Sequence, residues 1–315
     1  MRARCRRVRW AGCGTVAIAY HPGVPTLLAA SAVRIDVAGC PALDGLTLAT
    51  TGERALVLAA PRALFEAASG VRSVARGELR VEGLAPQAAV REGLVACAPL
   101  DPPMPPAWTV LQYVAWSARL VGHPRATAHA LAAAALERLQ LGAFAGAKLG
   151  GASPGTRRGT VLAAAVATGA PGLLVEDPIA GLPDESARPF ARVVARLLGE
   201  RRAVVFAGRL PLESPLALWA DEAIVVGGSA VLAQGAPAEI AAAERTLALR
   251  VQGDVDAFVR AVATAGGAAF VTSGAVPPLR VRVELGPLAA RDLLRIAADA
   301  QAVVLELRPL AGAFA

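Results

Sequence analysis

From residue 33 onward, apolar and polar positions settle into short, regular blocks. "VRIDVAG" (33–39) alternates with period two and predicts a strand, and "ALDGLTLATTGE" (42–53) predicts a second that ends in a turn. "RALVLAA" (54–60) is a continuous apolar run, as expected of a strand covered on both faces. "RALFEAASGV" (62–71) is helical, "GELRVEG" (77–83) a short alternating strand, and "EGLVACAPL" (92–100) another buried strand. Three helical stretches follow with little strand signal: "WTVLQYVAWSARLVG" (108–122), "ATAHALAAAALERLQL" (126–141) and "GTRRGTVLAAAVATG" (155–169). Then come buried strands in "GLLVED" (172–177) and "AVVFAG" (203–208), and a hairpin in "DEAIVVGGSAVLAQG" (221–235) with a Gly-Gly-Ser turn. Strands alternating with helices predict an α/β sheet covered on both faces, and the helical middle predicts an insert between two of its strands.

Near residue 246 the pattern restarts. A strand "LALRVQG" (247–253) precedes a helix "DVDAFVRAVATAGG" (254–267) and two strands, "AAFVTSG" (268–274) and "PLRVRVEL" (278–285). A helix "GPLAARDLLRIAADAQ" (286–301) and a strand "AVVLELRPL" (302–310) close the chain. The order βαββαβ predicts a small ferredoxin-like α+β domain over residues 246–315.

Composition changes this picture little. Among 32 basic residues only Lys148 is a lysine, a bias typical of a GC-rich genome. The formal charge of +7 arises largely in the opening "MRARCRRVR", which holds five arginines; a nucleic-acid partner, which would need a basic face on a folded domain, is not expected. The cysteines Cys5, Cys13, Cys40 and Cys97 form no C-x-x-C pair, so neither a disulfide framework nor a zinc site is predicted. Residues 10–33 lack charge after a basic start, like a signal peptide, but "HPGVP" interrupts the apolar run. Residues 1–32 therefore read as an N-terminal extension without fixed structure.

Six phrases in order carry a resemblance over residues 33–243. "ALDGLTLATTGERALVL", "GELRVEGLAP", "TVLQYVAWSARLVG", "GGASPGTRRG", "LLVEDPIAGLPDES" and "ADEAIVVGGSAVLAQGAPAEI" resemble successive framework segments of the ATP-binding cassette of ABC transporters. The C-terminal domain is similar to the tail on ABC ATPases of multidrug- and antibiotic-export type. The resemblance implies a P-loop NTPase-like α/β cassette with a helical subdomain, a cytoplasmic location peripheral to the inner face of the plasma membrane, and a membrane permease as partner.

The chemistry implied by the resemblance is altered at most stations. A P-loop, G-x-x-x-x-G-K-S/T, wraps phosphate in backbone N–H groups, and its Lys reaches the outer phosphates. Here Ala59 leads directly to Pro61 at the Lys position and Arg62 at the Ser position, with about four loop residues missing. Arg62 leaves a positive charge at the helix start. Leu100 stands where the family has a Gln. "EDP" inverts the usual order, placing Glu176 at the Mg²⁺-linked position and Asp177 at the general-base position. Arg209 replaces a His, and no aromatic residue follows the first strand to stack on adenine. The signature segment keeps Ser153 and Gly155. Ser153 has two roles open to it, capping a helix or completing the nucleotide site of a facing subunit.

Three functions follow from this resemblance. The first is a degenerate, non-hydrolysing subunit, with no cofactor of its own and with ATP and Mg²⁺ held only in a composite site with an intact ABC ATPase. The second is a working ATPase with an atypical loop. The third is a scaffold or regulator that uses only the fold.

Overall fold

A computed structural model of the chain describes residues 9–10, 26–199, 201–212, 214–243, 246–273 and 278–309. The chain divides into two units, Met1–Pro237 and Ala238–Ala315.

The first unit opens with strand β1 (Arg9–Trp10), then β2 (Leu28–Val37), β3 (Cys40–Ala49) and β4 (Arg54–Leu58). Helix α1 (Arg62–Ala68), strand β5 (Arg76–Val81), helix α2 (Pro86–Arg91) and strand β6 (Val95–Ala98) follow. Helices α3 (Val110–Leu120), α4 (Arg125–Arg138) and α5 (Pro154–Ala167) then pack against one another as a helical layer. Strand β7 (Gly172–Glu176), helix α6 (Asp184–Leu198), strand β8 (Arg202–Ala207), helix α7 (Pro215–Trp219) and the hairpin β9 (Glu222–Gly227) and β10 (Ala230–Gly235) complete it.

The main sheet has the order β1-β10-β9-β4-β8-β7-β6. Its five strands from β9 to β6 are parallel, and β10 and β1 extend one edge antiparallel. The buried runs Ala55–Leu58, Leu173–Val175 and Ala203–Ala207 have almost no exposed surface, as strands with helices on both faces require. A separate antiparallel sheet, β3-β2-β5, packs through Leu28, Ile35, Leu46 and Leu48 into the same core. The turn between β3 and β4 is anchored from across the sheet. The buried Glu222 accepts hydrogen bonds from Thr51 N, Thr51 Oγ1, Gly52 N (2.9 Å) and Gln234 Nε2 (3.1 Å).

Two features correct the sequence reading. The extension does not end at residue 32: β2 begins at Leu28, and Leu27, Leu28 and Ala30 lie in the core. The register of β2 shifts between Ala30 and Val33, where Ala32 adopts φ 48°, so the alternation is broken at the point where the eye looks for it. Within the same extension, Arg9–Trp10 pair with β10; residues 1–8 and 11–25, on which the remaining expectation of a structureless or targeting segment falls, lie outside the described residues. Helix α6 was also not read from the sequence: Pro189, a residue that argues against a helix interior, sits inside a helix that runs unbroken from Asp184 to Leu198.

The second unit begins with helix α8 (Pro237–Ala243), whose first residue closes the first unit, and continues as β11 (Thr246–Gly253), α9 (Val255–Thr264), β12 (Ala268–Ser273), β13 (Leu279–Glu284), α10 (Ala290–Asp299) and β14 (Ala302–Pro309). The sheet order β12-β13-β11-β14 is antiparallel throughout, the ferredoxin-like arrangement. Its own core joins Leu249, Val251, Phe258, Val281, Val283 and Leu293. Among the described residues, no helix is long and apolar enough to cross a membrane.

Candidate functional site: the ends of the parallel strands

In an open parallel sheet, ligands bind beyond the carboxyl ends of the strands. Here β4 passes into α1 through three residues, Ala59, Ala60 and Pro61. Ala59 turns the chain with φ 53°, in the left-handed region that costs an alanine roughly 1 kcal/mol. Pro61 is the N-cap of α1, with no side-chain cap, and its carbonyl accepts the first bond of the helix, from Leu64 N at 2.9 Å. The helix is seated by Ala63, Leu64, Phe65, Ala67 and Ala68, all buried, and Phe65 meets Phe206 edge-on at 5.7 Å. A link this short presents few N–H groups, and Pro61 presents none. The residues here do not fit a triphosphate with its Mg²⁺.

The positive charge at the start of α1 is already engaged. Arg62 Nε lies 3.1 Å from Glu66 Oε1 and 3.4 Å from Glu176 Oε1. Glu176, only 6% exposed at the end of β7, uses its other oxygen to accept a hydrogen bond from Leu100 N at 2.7 Å. Burial pushes the Glu176 carboxyl above its usual range, while the Leu100 N–H and the Arg62 guanidinium pull it back. Leu100, at the position where the resemblance implies a Gln, thus contributes its backbone rather than its side chain.

Asp177 sits at φ 40°, donates its N–H to Phe206 O at 2.7 Å, and accepts from Gly208 N at 3.0 Å. Burial raises its pKa too, opposed by the Gly208 hydrogen bond and by Arg158. Arg158, from α5, donates to Leu100 O at 3.0 Å and to Ala180 O at 2.8 Å. Its own pKa is lowered by burial, against the attraction of Asp101, Asp177 and Glu176. A continuous polar chain therefore runs Arg62–Glu176–Leu100–Arg158–Ala180, from α1 through two loops to the helical layer. Arg209 is exposed beside Gly208.

Ser153 and Gly155 belong to a different place, the start of α5. Ser153 is the N-cap, and its hydroxyl accepts from Thr156 N at 3.1 Å and lies 2.9 Å from Thr156 Oγ1. A β-carbon added at Gly155 would meet nothing within 4 Å. The structure thus brings together Ala59, Pro61, Arg62, Leu100, Glu176 and Asp177, and sets Ser153 and Gly155 apart. Sequence reasoning missed the roles of Glu66 and Arg158. The four-residue spacing of Arg62 and Glu66 on one helix was a usable signal for the first; nothing local signalled the second. No cluster of three or more potential metal-ligating side chains occurs among the described residues.

No protein-family profile matches the sequence, and no curated protein does. Solved structures do. CbiO1 from Clostridium perfringens, part of the ABC transporter complex cbiONQ, superposes with a TM-score of 0.59 at 17% identity, over 69% of this chain and 91% of that one. The ADP conformation of an ATP-binding cassette of an ABC transporter gives 0.57 at 17% identity, over 68% and 93%. The fold is that of an ATP-binding cassette. An ATP-binding subunit of an ABC transporter gives 0.56 at 14% identity, over 67% and 90%. At these identities the cassette likeness establishes architecture alone, and the chemistry rests on the residues just described.

Proposed function

We propose that the chain is a degenerate ABC-type ATP-binding subunit that does not hydrolyse ATP and couples, as one of a pair of cassettes, to a membrane permease of an export system. The observation that carries this reading is the self-neutralised start of α1. Where an anion would be received, Arg62 is paired with Glu66 and with the chain's own Glu176, behind a three-residue link. A working ATPase with an atypical loop would need that charge free for phosphate. The exposed start of α5, with Ser153 and Gly155, is the surface this chain offers to a facing cassette. ATP and Mg²⁺ then belong to the partner's phosphate loop, and attachment to the permease gives a peripheral membrane location.

The test has two arms. Calorimetric titration of the purified chain with Mg-ATP is expected to show no saturable heat in the micromolar range; binding at tens of micromolar or tighter refutes the reading. Size-exclusion chromatography with a hydrolysis-dead intact cassette of the same system is expected to show ATP-dependent association that Ser153→Arg abolishes. ATP-driven self-association refutes the pairing, and association indifferent to ATP favours the scaffold.

A further inference from the structure

A cavity opens beside the polar chain, between the carboxyl ends of β6 and β7 and the helical layer. It has a volume of about 640 Å³, within the roughly 300–1,000 Å³ of pockets that hold small molecules. One wall is formed by α1, α2 and β6 and the other by α3 and α5, with Phe65, Val90, Val95, Tyr113 and Val161 supplying much of its apolar surface.

The polar atoms of its wall divide into two sets. The carboxylates each have an arginine nearby: Glu66 binds Arg62 and Arg72, Glu176 binds Arg62 and Leu100 N, and the exposed Asp101 attracts Arg158 without a direct salt bridge. The open groups are donors. Arg62 has only its Nε engaged, which leaves both terminal nitrogens available. The half-buried Tyr113 hydroxyl makes no hydrogen bond among the described residues, and Cys97 is a free thiol. Burial pushes that thiol up to about 12, so the wall keeps it neutral. At the other end His123 Nε2 is held by Thr168 O at 2.8 Å.

This division selects a ligand. Arg62 faces two carboxylates, so an added anion meets like charge, and an added cation meets Arg62 and finds no carboxylate without an arginine near it, the exposed Asp101 lying near Arg158. We propose that the cavity binds a neutral, predominantly apolar molecule bearing a carbonyl or similar acceptor, whose body lies between α1 and α3 and whose acceptor is met by Arg62 and the Tyr113 hydroxyl. Such a ligand bridges the sheet to the helical layer alongside the polar chain. The cavity shares Arg62 and Glu176 with the strand-end site, but the proposal requires no nucleotide to be bound or refused there, and its test uses none.

Nile red, a neutral aromatic carbonyl dye that brightens in apolar surroundings, is the probe. The full chain is expected to give a saturable, one-to-one fluorescence titration. Ser117→Trp, which fills the cavity from α3, is expected to abolish it, with folding verified by circular dichroism. Tyr113→Phe is expected to weaken binding by roughly 2- to 10-fold through loss of one neutral hydrogen bond. Phe270→Glu, which removes an exposed apolar ring on the C-terminal sheet, is expected to leave the titration unchanged. Anilinonaphthalene sulfonate and rhodamine 6G, the anionic and cationic comparisons, are expected to bind at least about 10-fold more weakly. Loss of the signal in Phe270→Glu, its persistence in a folded Ser117→Trp, or tighter binding of either charged dye overturns the proposal. If Ser117→Trp does not fold, Tyr113→Phe decides, and unchanged affinity there overturns it.

Discussion

Glu176 offers the sharpest test of the polar chain, because two substitutions separate its charge from its hydrogen bond. Glu176→Gln keeps an acceptor for Leu100 N–H and removes the charge; Glu176→Ala removes both. Leaving a half-buried backbone donor without its partner costs about 1–3 kcal/mol, which is the expected gap between the two variants at any pH. For a unit of this size that is a difference in Tm of roughly 2–12 °C. The charge behaves differently. Burial raises the folded-state pKa of Glu176 above its ordinary value of 4.5. The fold therefore favours the protonated form. The stability that form contributes is fully present below pH 4.5 and is lost as pH rises through the folded value. At pH 7.5 the wild type carries a buried charge whose compensation from Arg62, 53% exposed, is worth no more than about 1 kcal/mol. Glu176→Gln is thus expected to lie within about 1 kcal/mol of wild type, or above it, at pH 7.5. Its standing relative to wild type should fall as the pH approaches 4. Asp177 titrates with the same sign but is present in all three proteins, so it cancels in the comparison. All four tryptophans precede residue 238, so tryptophan fluorescence in a urea titration reads the first unit alone. Equal damage from Gln and Ala, or a Gln-to-wild-type difference that does not move with pH, refutes the reasoning.

Arg158→Met removes the two hydrogen bonds that tie α5 to Leu100 and Ala180. It should cost roughly 2–4 kcal/mol in the same titration and speed hydrogen exchange in residues 99–103 and 178–182. Glu222→Ala strips four donors of their shared acceptor at the β3–β4 turn and should destabilise by at least about 3 kcal/mol, with Glu222→Gln recovering part of the loss. Ala59→Gly relieves a left-handed backbone and should stabilise by about 0.5 kcal/mol, read as a small rise in Tm.

Much of the architecture was legible because local periodicity records which face of an element is covered. The buried run "RALVLAA" became β4, the three successive helical stretches became α3–α5, and the βαββαβ order of the C-terminal unit appeared strand for strand. The sequence ahead of α1 holds no G-x-x-x-x-G-K-S/T pattern, which is counted rather than inferred. In β2 an identifiable residue, Ala32, broke the periodicity, and in α6 Pro189 masked a helix that in fact runs through it. The site's wiring was a different matter. Glu176 meets Arg62 from far along the chain, Leu100 serves through a backbone N–H that any non-proline residue has, and Arg158 reaches two carbonyls from another layer.

 Arg62 and Glu176 stand 114 positions apart in the chain, and only the packing of α1 against the end of β7 brings them within reach. Periodicity along a chain reports whether a residue is buried. It does not report which distant residue, or which backbone group, is buried against it, and that choice was made by the tertiary fold.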